Sequence, residues 1–160
     1  MRLPAGMPLS LSSPAFPANG QIPPTHTCDR ANTAPELLWS GAPDGTRSFA
    51  LIVDDPDAPR GTFTHWLLWN LPADAAELPE TGRGGARLPA GALQGTNSGG
   101  AQGWMGPCPP PGGPHRYFFT LYALDAELGL PAGAEPDAVR TAVERHTLGQ
   151  AGLMGRYARR

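Results

Sequence analysis

Three segments rich in apolar residues predict the main β-strands of this chain. Residues 48–53 are continuously apolar after the opening serine, a pattern that indicates a strand buried on both faces. Residues 62–71 and 116–124 are also rich in aromatic and branched side chains, which favour strands. We therefore expect these three segments to form the centre of a sheet.

Strand geometry assigns the histidines near these segments to faces. Successive side chains of a strand point to opposite faces, so His65 is expected beside Leu67, with Phe63, Trp69 and Leu71 on the same face. By the same rule His115 shares a face with Tyr117, and Arg116 lies on the other face.

The remaining pattern predicts a helix and several short elements. Residues 136–148 begin with a proline at a position that suits the first helical turn, and Gly149 suits the position after the helix. Short strands are expected near Leu9, Leu11 and Phe16, at residues 92–94 and at residues 151–157, while 79–103 reads as a long surface connection.

The fold class follows from the excess of strands over helices. Many short strands joined by turns are typical of a mainly antiparallel β architecture, and a chain of 160 residues fits one domain, 1–160, with residues 1–15 expected to be frayed. Gly and Pro supply 41 residues, from 21 and 20, and here they separate apolar runs and mark turns.

Composition argues against several classes of function. The net charge is −2, and the 12 basic residues are all Arg without a basic stripe, so nucleic-acid binding is not expected. The sequence shows neither a membrane span nor the apolar core of a signal peptide, so we expect a cytoplasmic protein. In that reducing compartment Cys28 and Cys108 are expected to be free thiols, with Cys108 buried and inert.

Two proline-rich segments that each lead to a histidine carry the candidate chemistry. One runs from Asp54 through Asp57 to Pro59 and precedes His65; the other is residues 106–111 and precedes His115. Prolines fix the backbone dihedral φ and stiffen such loops, so polar groups beside them are held in place before a ligand arrives. Together the two segments predict one small anion pocket.

These motifs resemble the phosphatidylethanolamine-binding protein family, also called the Raf kinase inhibitor protein family, in its bacterial and archaeal branch. The resemblance continues through residues 27–29, 35–41, 69–72 and 150–157 and covers the chain from about Phe16 onward. It implies a large central antiparallel sheet packed on a smaller one, with one or two short peripheral helices and the pocket at one end of the strands.

The resemblance also implies which residues line the pocket. The ligand-binding positions are Asp55, Pro59, His65, Gly106, Pro107, His115 and Tyr117, with Gly106 offering its backbone amide. Asp57, Arg116 and Trp104 are expected behind them: Arg116 pairs with a carboxylate such as Asp57, and Trp104 is the tryptophan best placed to touch ligand. No metal, cofactor or catalytic residue is expected.

Each pocket residue also has a purely structural interpretation. Asp55 and Asp57 can end a strand through Asx turns, His65 can be a core histidine satisfied by one carbonyl, and Tyr117 can be a core aromatic with its hydroxyl at the edge. In the pocket interpretation, a neighbouring carboxylate raises the histidine pKa and keeps a positive centre for an anion.

The resemblance favours a binding module without catalysis. Its ligand is expected to be a small phosphorylated or carboxylated molecule, such as phosphate, acetate or a phosphoethanolamine-like head group. One alternative is an inhibitor of a serine protease or kinase acting through the pocket or the 79–103 loop. A metal-assisted hydrolase is a weaker alternative, because the sequence has no nucleophile motif. Bacterial relatives often pair, so a homodimer is a candidate state.

Overall fold

The computed structural model describes residues 8–159, which form two antiparallel sheets and one α-helix. In chain order the strands are β1 (Ser10–Ser12), β2 (Leu37–Ser40), β3 (Ser48–Asp55), β4 (Phe63–Pro72), β5 (Glu77–Leu78), β6 (Leu93–Gln94), β7 (His115–Leu124) and β8 (Thr147–Tyr157). The helix α1 is Pro136–His146, and Pro24–His26 form a single 3₁₀ turn. The predicted mainly β fold is confirmed.

The larger sheet has the order β6-β4-β3-β7-β8, and the smaller one has the order β1-β2-β5. All pairings between neighbouring strands are antiparallel. The three strands predicted as the centre are therefore adjacent, with β3 between β4 and β7. The short strand expected near Leu11 is β1, whereas residues 1–7 of the segment expected to be frayed lie outside the described residues.

The larger sheet is covered on both faces. One face packs against the smaller sheet in a core that includes Phe49, Leu51 and Phe119 together with Leu37 and Trp39. The other face packs against α1 in a second core that includes Ala50, Ile52, Trp69, Val139 and Val143. Burial on both sides explains why β3 lacks alternation of apolar and polar residues.

Two irregularities in β4 overturn the predicted faces of its side chains, and the first concerns His65. Between the pairs Val53–Trp66 and Asp54–Thr64, β4 contains one residue more than β3, and that residue is His65. An extra residue of this kind shifts the alternation of side chains, so His65 contacts Tyr117 on the side of the first core and does not share a face with Leu67.

The second irregularity lies near Asn70, whose φ of 59° is left-handed. It returns Leu71 to the first core, while Trp69 lies in the second core. The single face predicted for His65, Leu67, Trp69 and Leu71 was therefore wrong, because a regular period of two does not hold across a bulge.

The C-terminal elements also differ from the prediction. The helix α1 ends at His146 and β8 begins at Thr147 without a loop, so Gly149 lies inside β8, paired with Ala123, and does not follow the helix as a cap. The predicted strand at 151–157 is the second half of β8. Pairing with the long strand β7 outweighs the local helix-end signal of Gly149.

The 79–103 segment is partly exposed, and part of it pairs with β4 of the larger sheet. It contains β6, which confirms the strand expected at 92–94, and it includes the buried residues Thr81, Gln94 and Asn97. The Asn97 side chain accepts hydrogen bonds from the amides of Gly99 and Ala101 and donates one to the Gly103 carbonyl. This side chain thereby shapes the turn that returns the chain toward residue 104.

Cys28 and Cys108 form a disulfide, so the expectation of two free thiols was wrong. The loops that carry them meet through the Cys28 amide, which donates to the Pro107 carbonyl, and this contact brings the two Cα atoms to 5.4 Å. Cys108 is exposed and not buried. A separation of 80 residues hides such a pairing from sequence patterns.

Among the described residues, no helix has the length and apolar character needed to cross a membrane.

We predict that the disulfide stabilises the fold. The double variant Cys28→Ser, Cys108→Ser should lose about 2–5 kcal/mol of unfolding free energy, because the bridge restricts an unfolded loop of about 80 residues. Urea denaturation of both proteins, with and without a thiol reductant, measures this loss. The double variant is the control, because the reductant should not affect it. An unchanged midpoint for the reduced natural chain would contradict the prediction.

Candidate functional site

Three strands bring the candidate site residues together at one edge of the larger sheet. Asp55 is the last residue of β3, His115 is the first of β7, and His65 lies near the start of β4. Because β3 is antiparallel to both neighbours, its end meets the starts of β4 and β7. Side chains that are far apart in sequence therefore form one cluster.

Asp55 is a buried carboxylate at the centre of this cluster, with 3% of its surface exposed. Its Oδ2 atom accepts a hydrogen bond from His115 Nδ1 at 2.7 Å, and its Oδ1 atom accepts one from the Asp57 amide at 2.7 Å. The second bond is an Asx turn. Asp55 therefore both shapes the turn after β3 and orients the His115 ring.

His65 is held by a main-chain carbonyl. Its Nδ1 atom donates to the Met105 oxygen at 2.6 Å, and its ring meets the Tyr117 ring edge-on at a centroid distance of 5.3 Å. Burial lowers the pKa of His65, and this effect exceeds the opposing influences of the Met105 hydrogen bond and of Asp55. The neighbouring carboxylate acts to raise the pKa, as expected, but burial outweighs it and the net shift of His65 is downward.

Tyr117 presents a buried hydroxyl without a protein partner. The side chain is 1% exposed, and within residues 8–159 no hydrogen bond to its hydroxyl oxygen is formed. Burial raises the pKa of Tyr117, and the nearby charges of Asp55 and Asp57 act in the same direction. The hydroxyl is thus neutral and able to donate a hydrogen bond at any physiological pH.

Arg116 and Asp57 connect the two motif segments, as expected from sequence. The Arg116 guanidinium donates to both Asp57 oxygens at 2.9 Å, and the Arg116 amide donates to Oδ2 at 2.9 Å. These bonds lower the pKa of Asp57 from 3.8 to about 2. The pair therefore stays ionised at neutral pH and braces the Asp55 turn against the start of β7.

Two predicted pocket residues take other roles. The Gly106 amide, expected to face a ligand, donates to the Asn32 side chain at 3.0 Å. The backbone at residue 106 lies so close to this side chain that a Cβ atom there would be 2.0 Å from Asn32 Oδ1. Trp104, expected behind the pocket residues, is 1% exposed and packs against Trp66 and Phe119 in the first core. Gly106 through its amide and Trp104 through its ring thus contact other parts of the protein.

The two predicted prolines lie in the expected loops. Pro59 is exposed in the turn between β3 and β4, and Pro107 is buried, with its carbonyl accepting from the Cys28 amide. Their contact with a ligand stays a prediction.

Sequence reasoning missed the groups that hold the 106–111 loop in place. Asn32 binds Gly106, the Met105 carbonyl fixes His65, and Asp29 accepts hydrogen bonds from Tyr157 and Arg159 near the end of the chain. A carbonyl has no sequence signal, because every residue carries one. Asn32 had a weak signal, since asparagine is one of the non-glycine residue types that most often adopt the left-handed φ, 60° here.

A second polar site, also missed, lies on the opposite face of the same strands. Arg140 on α1 donates to Asp54 Oδ1 at 2.6 Å and to Thr64 Oγ1 at 2.7 Å. These side chains line an open groove of about 750 Å³ whose other lining residues are Thr62, Ser98, Glu135, Pro136 and Asp137. Adjacent residues thus serve different faces, Asp54 toward the helix and Asp55 toward the histidines.

Among residues 8–159, no group of three or more His, Cys, Asp or Glu side chains is arranged to hold a metal ion.

We predict that His65 stays neutral well below its ordinary pKa of about 6.5. Its pKa is lower in the folded than in the unfolded chain, so the unfolded chain takes up this proton first and His65 destabilises the fold as the pH falls below about 6.5. An NMR titration of the ring nitrogens measures the midpoint and shows that Nδ1 carries the proton. The same titration of the urea-unfolded chain supplies the reference midpoint. A His65 midpoint above 6.5 would contradict the prediction.

Comparison with known proteins identifies the family. The family model described as phosphatidylethanolamine-binding protein matches residues 12–158. A UPF0098 protein of Methanothermobacter thermautotrophicus is 48% identical over 151 residues, 94% of this chain and 99% of that protein. The crystal structure of E. coli YbcL, described as a member of the mammalian PEBP family, superposes with a TM-score of 0.91 at 34% identity, covering 96% of this chain and 100% of YbcL. The PEBP homologue CT736 of Chlamydia trachomatis gives 0.87 at 35% identity, covering 96% and 99%. The chain belongs to the phosphatidylethanolamine-binding protein family.

Proposed function

We propose that this protein binds a small phosphoryl or carboxylate anion with Asp55, His65, His115 and Tyr117, as a binding module without catalysis. The observation that carries the proposal is the set of polar atoms that the fold holds in place without using. The Tyr117 hydroxyl has no partner, and within residues 8–159 no hydrogen bond is formed at Nε2 of His65 or His115. These three atoms are available to a bound ligand.

The physical reason is the cost of leaving a buried polar group unpaired. Such a group costs about 1–3 kcal/mol relative to a satisfied one, and an anion that accepts from the Tyr117 hydroxyl removes this cost. The three rings are close, because the Tyr117 centroid lies 5.3 Å from His65 and 6.5 Å from His115. One phosphoryl or carboxyl group can therefore reach more than one of them.

The carboxylates near the site do not prevent anion binding. Asp55 accepts from His115 and from the Asp57 amide, and Asp57 is neutralised by Arg116. Donors thus stand beside each negative charge, which reduces the repulsion of a ligand anion. The same carboxylates attract an ammonium group, so a zwitterionic phosphoethanolamine-like ligand suits the site.

The positions of the candidate nucleophiles favour binding over hydrolysis. Ser98 lines the groove beside Arg140, on the other face of the sheet from His115, and its oxygen accepts from the Thr64 amide. Thr96 donates to the Gly133 carbonyl. Neither hydroxyl is near an imidazole that could act as its base.

The finer features of the proposal stay predictions. They are the lining roles of Pro59 and Pro107, a kinase or protease as protein partner, a homodimer and a cytoplasmic location. The disulfide bears on the last of these, because such bridges persist mainly in oxidising compartments, with the proteins of hyperthermophiles as an exception.

The test is a calorimetric titration with phosphoethanolamine, repeated with inorganic phosphate and acetate. We expect saturable binding that falls about tenfold or more in His115→Ala, which removes an imidazole from the site, and similarly in Tyr117→Phe, which removes only the hydroxyl. The matched control is His146→Ala, whose imidazole is bound to Asp125 beside α1. Equal affinity in all four proteins, or no binding at millimolar ligand, would contradict the proposal.

A further inference from the structure

The two histidines of the site present the same unused ring nitrogen. In each ring Nδ1 binds an oxygen that can only accept: the Met105 carbonyl at 2.6 Å for His65 and the Asp55 carboxylate at 2.7 Å for His115. A proton must therefore reside on each Nδ1. In a neutral imidazole the other nitrogen, Nε2, then carries a lone pair and is an acceptor.

From these tautomers we infer that the site selects a phosphoryl group that carries its own proton, that is, a phosphomonoester or inorganic phosphate in preference to a phosphodiester. The inference rests on the proposed function and adds the ligand class to it. The proton on the ligand donates to His65 Nε2, while the Tyr117 hydroxyl donates to an unprotonated oxygen of the same phosphoryl group.

The surroundings of His65 favour its neutral form. The titratable groups that act on it are Asp55 on β3 and His115 on β7 in the same cluster and Asp54 on the helix side of β3, with the neutral Tyr117 hydroxyl beside the ring. The carboxylates favour an imidazolium, but Asp54 is already bound to Arg140, and Asp55 already accepts two hydrogen bonds. Burial of His65, at 5% exposure, outweighs both carboxylates.

Phosphomonoesters and phosphodiesters differ in whether their phosphoryl group has a proton to donate to His65 Nε2. A phosphomonoester loses its second proton with a pKa near 6, so at pH 6.5 about a quarter of it still bears a P–OH group. A phosphodiester has no second acidic oxygen, so every oxygen of its phosphoryl group can only accept a hydrogen bond. Binding of a diester would place a phosphoryl oxygen against His65 Nε2, and both atoms are acceptors. His65 could avoid this only by taking a proton from solvent, and the burial of His65 opposes that protonation.

The proton balance follows directly. In the complex with a monoester, one proton lies in the hydrogen bond between the ligand oxygen and His65 Nε2. The complex holds this proton whether it is bonded to the oxygen or to the nitrogen. When the free ligand is the dianion, as it mostly is at pH 7.5, that proton comes from the buffer. Binding should therefore take up protons, and affinity should fall as the pH rises from 6 to 8.

The test compares phosphoethanolamine, a monoester, with its methyl ester, a diester with the same ammonium head group and no hydroxyl group that could donate in place of the P–OH. By calorimetry at pH 6.5 we expect the monoester to bind about tenfold or more tightly, as for one lost hydrogen bond. At pH 7.5, titrations in buffers of different ionisation enthalpy should show between about half a proton and one proton taken up per monoester. The variant His65→Phe keeps an aromatic ring against Phe63 and Tyr117 but has no Nε2. It should bind the monoester and the diester with about equal affinity.

Each outcome decides the inference. Equal or tighter binding of the diester, or no proton uptake at pH 7.5, overturns it and leaves the proposed function standing, whereas failure of both ligands to bind at millimolar concentration overturns both. The measurements on the natural chain suffice if His65→Phe does not fold.

Vesicles with phosphatidic acid, a monoester lipid, and vesicles with phosphatidylethanolamine, a diester lipid, extend the test to membranes. Capture by the first supports a lipid source of the monoester, and stronger capture by the second overturns the inference.

Discussion

The hydrogen bond between Asp55 and His115 is the interaction on which the candidate site depends. It joins the end of β3 to the start of β7, at 2.7 Å between two side chains that are mostly buried. The same carboxylate accepts from the Asp57 amide, and Asp57 in turn holds Arg116. One carboxylate therefore fixes the turn, the tautomer of His115 and the distance between the two motif segments.

The site also depends on a bulge that a regular strand would lack. Because His65 is the extra residue of β4, its ring lies with Tyr117 on the side of the first core, and Thr64 beside it serves Asp54 and Arg140 on the helix side. A strand without the bulge would turn His65 toward α1 and leave His115 alone beside Asp55. Bulges often occur where a side chain must be redirected.

The fold was largely predictable from sequence, and the site was predictable only in part. Long apolar runs determine which strands are central, so β3, β4 and β7 followed from pattern, and the two proline-rich motifs marked Asp55, His65 and His115. The face of His65, the length of β8 and the Cys28–Cys108 bridge did not follow. Each of these depends on contacts between distant segments, which local periodicity does not encode. The partner of the Gly106 amide, Asn32, did not follow for a related reason, because closeness in sequence to a motif does not determine which group satisfies an amide.

The most direct measurement of the central claim is a crystal structure of the protein with phosphoethanolamine at neutral pH. The account predicts a phosphoryl group within hydrogen-bond distance of the Tyr117 hydroxyl and of Nε2 of His65 or His115, with the Asp55–His115 contact retained. A ligand seated in the groove beside Arg140, or a phosphoryl group that contacts neither imidazole, would contradict it.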